Sequence, residues 1–212
     1  MAINEDTDAS IRFLSMINPV KALVEPFRPL VHSQPRYSVR LASSINEIHA
    51  AQALRFEVFN IELEEGLDAS CATGRDEDPF DAFCEHLVVE HGPSQRIVGT
   101  YRLQTGQNAA KHLGYYSEQE FEFGVFETLR PEMLELGRAC IHRNHRNLIV
   151  LGLLWKGIAD YARRHSGRYL IGCSSITSQD PAAGASAYAE LCRRHLAQPP
   201  SSQCLVPAGV PL

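Results

Sequence analysis

No stretch of this chain stays apolar long enough to cross a bilayer. The longest such run, Leu148 to Trp155, falls well short of the roughly 20 residues that a spanning helix needs. No charged start followed by an apolar core and a small-residue cleavage pattern opens the sequence, so a cytoplasmic location is expected. Cys-x-x-Cys pairs are also absent. Cys71, Cys84, Cys140, Cys173, Cys192 and Cys204 stand apart, which suits reduced thiols rather than a disulfide scaffold. Cys84-Glu85-His86 and Cys140-Ile141-His142 lack the paired spacing of a structural zinc site, so no metal is expected. Trp155 is the sole tryptophan. No internal repeat is visible. A net charge of −5 offers no basic surplus, and no nucleic-acid partner is expected.

What is present fits one globular domain. The chain has 212 residues, with 44% hydrophobic and 21% charged, enough for a real core. The mild net charge hides a division. From Glu57 to Glu90 there are eleven acids, opposed by Arg75 alone. From Arg138 to Arg168 seven cations face Asp160 alone. Such runs read as solvated faces, or as surfaces for a cationic ligand and an anionic partner.

Residues 1–36 read as a separate extension. Ile11 to Phe27 has the pattern of a short amphipathic helix broken at Pro19 and Pro26, lying over the domain, mobile, or on a membrane surface. Tyr37 to Ala42 alternates as a first strand. Ser44 and Glu47 have capping-box spacing, and a helix is predicted to about Leu63. On it Arg55 and Phe59 stand one turn apart. Glu62 to Phe80 reads as an acidic loop. Its tight run Asp76-Glu77-Asp78-Pro79-Phe80-Asp81 needs cations, for which Arg55, Arg102, Arg138 or a substrate ammonium are candidates.

A hairpin follows over His86–His91 and Arg96–Leu103. Gln104 to Pro131 reads as loop and short helix. Leu134 to His142 reads as a buried strand carrying Glu135 and Arg138. Residues three apart face opposite ways in a regular strand, but Gly137 between them marks a bulge. One extra residue would turn Arg138 onto the face of Glu135. The pair is then either a structural ion pair or an acid and a base in one cleft. Next, Arg143-Asn144-His145-Arg146-Asn147 opens a long helix with Leu151, Leu154, Trp155, Ile158 and Ala162 on its apolar face, a natural phosphate site. Arg168 to Ser175 reads as a strand parallel to the Glu135 strand. Ala182 to Ala197 reads as a helix. Domain bounds are 37–198, with a proline-rich tail over 199–212. The class is α+β, with a mixed central sheet flanked by helices.

This order resembles the GNAT acyltransferase fold. Leu54-Arg55-x-x-Val58-Phe59, Asp78-x-x-Asp81, Gly99-Thr100-Tyr101-Arg102 and Glu135-x-x-Arg138 resemble the acyl-homoserine-lactone synthase pattern. Tyr116-Ser117-Glu118-Gln119-Glu120-Phe121, Glu135-Leu136-Gly137-Arg138-Ala139-Cys140 and Gly172-Cys173-Ser174 bring the chain closer to bacterial ornithine N-acyltransferases and related N-acyl amino acid synthases. The match covers residues 37 to 180. The resemblance implies an acyl thioester on acyl carrier protein as donor, with no bound cofactor, and an amino acid as acceptor, most closely ornithine. It implies Glu135, Arg138 and Arg102 as catalytic residues. Arg55, Phe59, Asp78, Asp81, Cys173 and Ser174 are then substrate-binding, with Arg143 and Arg146 on the phosphopantetheine phosphate. Peripheral contact with the inner membrane belongs to the same expectation. The family's glycine-bearing pyrophosphate loop is missing at Arg146 to Leu151, which suits a carrier protein with a single phosphate. Family members continue with further strands, whereas this sequence ends at Leu212. Cys140 and Cys173 read as core thiols. Rival readings are an acyl-homoserine-lactone synthase and a non-catalytic carrier-binding module.

Overall fold

Alternation at Tyr37–Leu41 makes the first strand, β1. Ser44 caps helix α1 (Ile45–Phe56) by accepting from the Glu47 N–H. The Glu47 carboxylate reaches back one residue further than a capping box requires, to the Ser43 N–H at 2.6 Å, and also binds Arg40. The computed structural model describes residues 35–174, 178 and 180–195. All but the last two residues of the expected N-terminal extension lie outside these, as does the proline-rich tail.

The helix predicted to Leu63 stops at Phe56. It passes into a π-helical turn over Glu57–Glu62, a wider winding that periodicity does not reveal. The acidic loop also holds more order than expected. It contains α2 (Ser70–Thr73), ended by Gly74 at φ 67°, where glycine avoids the left-handed penalty. A 3₁₀ turn follows at Pro79–Ala82, capped reciprocally by Asp78 and Asp81. Elements this short leave no apolar period to read.

The hairpin is present as β2 (Glu85–His91) and β3 (Arg96–Thr105). After α3 (Gly106–Lys111) and two 3₁₀ segments come β4 (Met133–Ile141), α4 (Leu148–Arg164) and β5 (Tyr169–Ile171). The sheet runs β1-β2-β3-β4-β5. Its pairs are antiparallel except β4 with β5, which is parallel as expected. Residues 34–174 form one compact unit, and α5 (Pro181–His195) belongs to another.

The sheet has two unlike faces. Leu87, Val89, Leu103 and Leu134 pack against Val150, Leu154, Ile158 and Tyr161 of α4. The expected apolar face of α4 is therefore rotated. Leu154 and Ile158 are buried, but Leu151 and Trp155 are 41% and 44% exposed. Leu148 to Trp155 is apolar all round, so its period carries no direction. Gly157 supplies one, since a Cβ there would come within 2.7 Å of Leu87 and 3.0 Å of Val39. The other face, under α1, carries His86, Thr100, Arg102, Gln104 and Glu135, all buried. That face holds the candidate site.

Candidate functional site

The site begins with a break in pairing between β3 and β4. Thr100 lies opposite Cys140, and Arg102 opposite Gly137. Two residues of β4, Arg138 and Ala139, thus stand against Tyr101 alone. This is the expected bulge, displaced by one residue. Arg138, not Gly137, takes the left-handed backbone, at φ 47°. A non-glycine residue held there costs about 1 kcal/mol or more, and such strain gathers at functional sites.

The bulge brings Arg138 to the face that carries Glu135, yet the two side chains do not pair. Glu135 accepts from the backbone N–H groups of Tyr116 and Ser117 at 2.8 and 2.7 Å, and from the Ser117 hydroxyl at 2.6 Å. Arg138 turns to Asp76 at 3.5 Å and Asp78 at 3.6 Å. Its guanidinium also lies 5.7 Å from the Tyr116 ring centre and 6.0 Å from that of Phe59. Tyr116 joins the two halves: its backbone holds Glu135 and its ring borders Arg138. The structural ion pair is not what these residues form.

The acidic run is balanced from within, by the three arginines named as candidates. Arg55 is fully buried. It donates to both Asp81 oxygens, at 3.0 and 2.5 Å, and lies 3.0 Å from Asp76 Oδ1. Two of its nitrogens also reach the Asp76 carbonyl. Arg102 donates to Asp78 at 2.6 Å and to Asp81 at 3.1 Å. Gln52 adds a donor to Asp81 at 3.0 Å. Three carboxylates thus meet three guanidiniums in a largely buried region, where an unpaired charge would cost several kcal/mol. Burial pushes the Asp81 carboxyl up, but Arg55 and Arg102 outweigh it and hold the group well below the usual carboxylate range. Burial likewise works against the Arg102 charge, and Asp78 and Asp81 more than restore it.

Some polar atoms in the region remain without a hydrogen bond among the described residues. They include both side-chain oxygens of Asp76, Asp78 Oδ2, Arg138 Nε and both amide ends of Gln104. Gln104 lies opposite Glu135 in the β3–β4 register. Beside them opens a cleft of about 490 Å³. Leu67, Pro79, Phe80 and Leu113 make its apolar wall, Asp78 and Arg138 its charged one, with Tyr116 between. Glu135 sits behind Tyr116 rather than in the wall.

The remaining candidates are spread out. Phe59, on the π-helical turn, packs with Leu54, Val58 and Cys140 as well as near Arg138. Cys140 is buried, and desolvation pushes its thiol up to about 12, which suits a core thiol. Cys173 and Ser174 are exposed just past β5, and the Cys173 thiol donates to Ser117 Oγ at 3.5 Å. Cys173 is therefore not the core thiol expected of it: β5 ends at Ile171, too early to carry it into the sheet. Arg143 is exposed on a 3₁₀ turn, outside the cleft wall. Arg146 is held by both oxygens of Glu62, at 2.6 and 2.7 Å. At the start of α4, Asn147 already accepts from the Ile149 and Val150 N–H groups. Sequence reasoning gave no role to Asp76 on its own, Gln52, Tyr116 or Ser117. The one trace of the last two was the Tyr116–Phe121 motif, which carries no sign of its partner 18 residues away.

A family profile described as acetyltransferase (GNAT) domain matches residues 54–156. The chain is 42% identical over 160 residues to the L-ornithine N(alpha)-acyltransferase of Brucella abortus, covering 69% of this chain and 55% of that protein. It is 34% identical over 175 residues to the enzyme of the same name from Rhodobacter capsulatus, covering 76% and 64%. The chain thus spans little more than half the length of the first of these relatives. Among solved structures, an N-acyl amino acid synthase from uncultured soil microbes aligns with a TM-score of 0.48 at 17% identity, over 73% of this chain and 77% of that one. Residues 54–156 thus carry the match to a GNAT domain, and the five-stranded mixed sheet is that of the GNAT acyltransferase fold.

Proposed function

We propose that this protein is an N-acyltransferase that moves a 3-hydroxyacyl chain from acyl carrier protein to the α-amine of an amino acid, with ornithine the first acceptor to try. That reaction would be the opening step of an aminolipid synthesis. One observation carries the reading. The cleft at the bulge is lined by one guanidinium and one carboxylate, Arg138 and Asp78, which stand 3.6 Å apart and each keep an atom without a hydrogen bond among the described residues. An α-amino acid is a zwitterion of matching shape: its carboxylate suits Arg138 and its ammonium suits Asp78. The names of the curated relatives support the same acceptor class.

In this reading Glu135 takes a proton from the acceptor ammonium, directly or through water, as general base. The free amine attacks the thioester carbonyl, and a backbone N–H at the bulge stabilises the oxyanion. Arg55 and Arg102 do not touch substrate; their hydrogen bonds keep Asp78 and Asp81 in place. The phosphopantetheine phosphate meets Arg143, and reaches Arg146 only by displacing Glu62. Incubation with 3-hydroxyacyl carrier protein and a panel of amino acids, read by mass spectrometry, tests this. The expected result is an N-acyl amino acid, with ornithine ahead of neutral acceptors. Thiol release without any acylated amino acid would overturn it.

A further inference from the structure

The proposed transfer must dispose of a proton. An acceptor ammonium carries three hydrogens. The amide keeps one, the leaving thiol takes one, and the third has to reach solvent. Glu135, which receives it, is only 6% exposed. Its Oε2 faces Tyr116, whose other contacts border a cleft that substrate would fill. Its Oε1 faces Ser117, and Ser117 in turn receives the thiol of Cys173, which is exposed.

We propose that Ser117 is a positioning residue that orients Glu135 and joins it to Cys173, so that the proton taken from the acceptor leaves through the Ser117 hydroxyl and the Cys173 thiol. This rests on the acyl-transfer reading above. The transfer balances. The Ser117 hydroxyl donates to Glu135 and the Cys173 thiol to Ser117, so rotation about the C–O and C–S bonds first turns both hydrogens outward. Glu135 Oε1 then gives the proton to Ser117 Oγ, the hydroxyl passes its own hydrogen to Cys173 Sγ, the thiol releases its hydrogen to water, and both groups are left oriented as they began. One proton enters and one leaves, and neither an alkoxide nor a thiolate accumulates.

The charged and titratable neighbours favour this exit over others. Tyr115 and Cys84 also sense Glu135, but the hydrogen bonds of Glu135 among the described residues go to Tyr116 and Ser117 instead. Tyr115 directs its hydroxyl to the Arg130 and Met133 carbonyls. Cys173 itself is pushed above the ordinary thiol range by desolvation, with Glu135 and Glu120 adding to this and the Ser117 bond opposing it. It therefore stays protonated, as a relay member must.

Two measurements on the full chain test the link. The first needs no turnover: the alkylation rate of Cys173 by iodoacetamide, read at that residue by mass spectrometry. Loss of the nearby charge in Glu135→Gln should raise the rate about threefold or more, and loss of the hydrogen bond in Ser117→Ala should lower it. Unchanged rates in both variants would overturn the link. The second is turnover with 3-hydroxyacyl carrier protein and ornithine. Cys173→Ala should lower kcat on the order of tenfold with KM for the acceptor unchanged, and Cys173→Ser should restore most of it. Ser117→Thr should likewise recover what Ser117→Ala loses. Cys173 is exposed, so its variants keep the test open if Ser117→Ala fails to fold. Wild-type kcat in Cys173→Ala beside an inactive Glu135→Gln would overturn the relay alone. Full acylation by Glu135→Gln would overturn Glu135 as the base and the relay with it, whereas no acylation by the unaltered chain would overturn the acyl-transfer reading itself.

Discussion

The two faces of one sheet are built on opposite rules. Toward α4, strands β2, β3 and β4 present Leu87, Val89, Leu103 and Leu134 to an apolar helix face. Toward α1, the alternate residues of the same strands are His86, Arg102, Gln104 and Glu135, also buried. The first face is stabilised by apolar area removed from water, and it tolerates exchange among residues of similar volume. The second is a set of charges that hold only together, since each of Asp76, Asp78 and Asp81 depends on guanidiniums from other elements. Apolar packing would hold a sheet at less cost than buried ions do. The polar face, with its strained Arg138, is therefore where chemistry is to be sought.

Truncations on the two faces should separate these rules. The largest loss is expected from Arg55→Ala, which leaves Asp76 and Asp81 short of a partner in a dry region. It should cost about 4 kcal/mol in urea unfolding. Leu154→Ala on the apolar face should cost about 3 kcal/mol through transfer and cavity terms. Its KM should stay unchanged at temperatures where it remains folded. A larger loss from Leu154→Ala than from Arg55→Ala would break the comparison. Of the two faces, acid should act on the polar one. Asp81 is held below the usual aspartate range, so its contribution is full above about pH 4, where the unfolded side chain is already ionised. It is lost as pH falls through the lower folded value. Asp81→Asn should flatten that limb of the stability curve, measured by melting temperature against pH, while Leu154→Ala should shift the curve without changing its shape. The smallest effect is expected from Trp155→Ser, within about 0.5 kcal/mol, because Trp155 is exposed on α4.

The same contrast explains what could be read in the sequence. The acids of 76–81 and the arginines at 55, 102 and 138 were legible as partners, because a dense acidic run has to find cations. The bulge was legible from a glycine inside a strand. Which residue would adopt the left-handed backbone was not, since Gly137 and Arg138 are adjacent and only the pairing with Tyr101 decides between them. The apolar face of α4 was not legible either, because its first two turns are apolar on every side and the packing of Gly157 sets the rotation. Tyr116 and Ser117 open a 3₁₀ turn too short to show an apolar period, and their grip on Glu135 comes from tertiary contact alone.

The most direct test of the account is the rate at which Glu135→Gln forms N-acyl ornithine from 3-hydroxyacyl carrier protein, compared with the unaltered chain at equal folded concentration. The substitution keeps the shape and one acceptor oxygen, which can serve the two Ser117 donors while the amide NH2 faces the Tyr116 N–H, and it removes the proton-accepting charge. A loss of roughly 10²- to 10⁴-fold in kcat is the predicted result, and the equal folded concentration removes any fall in melting temperature from the comparison. A rate equal to that of the unaltered chain would contradict the assignment of the polar face as the site of transfer.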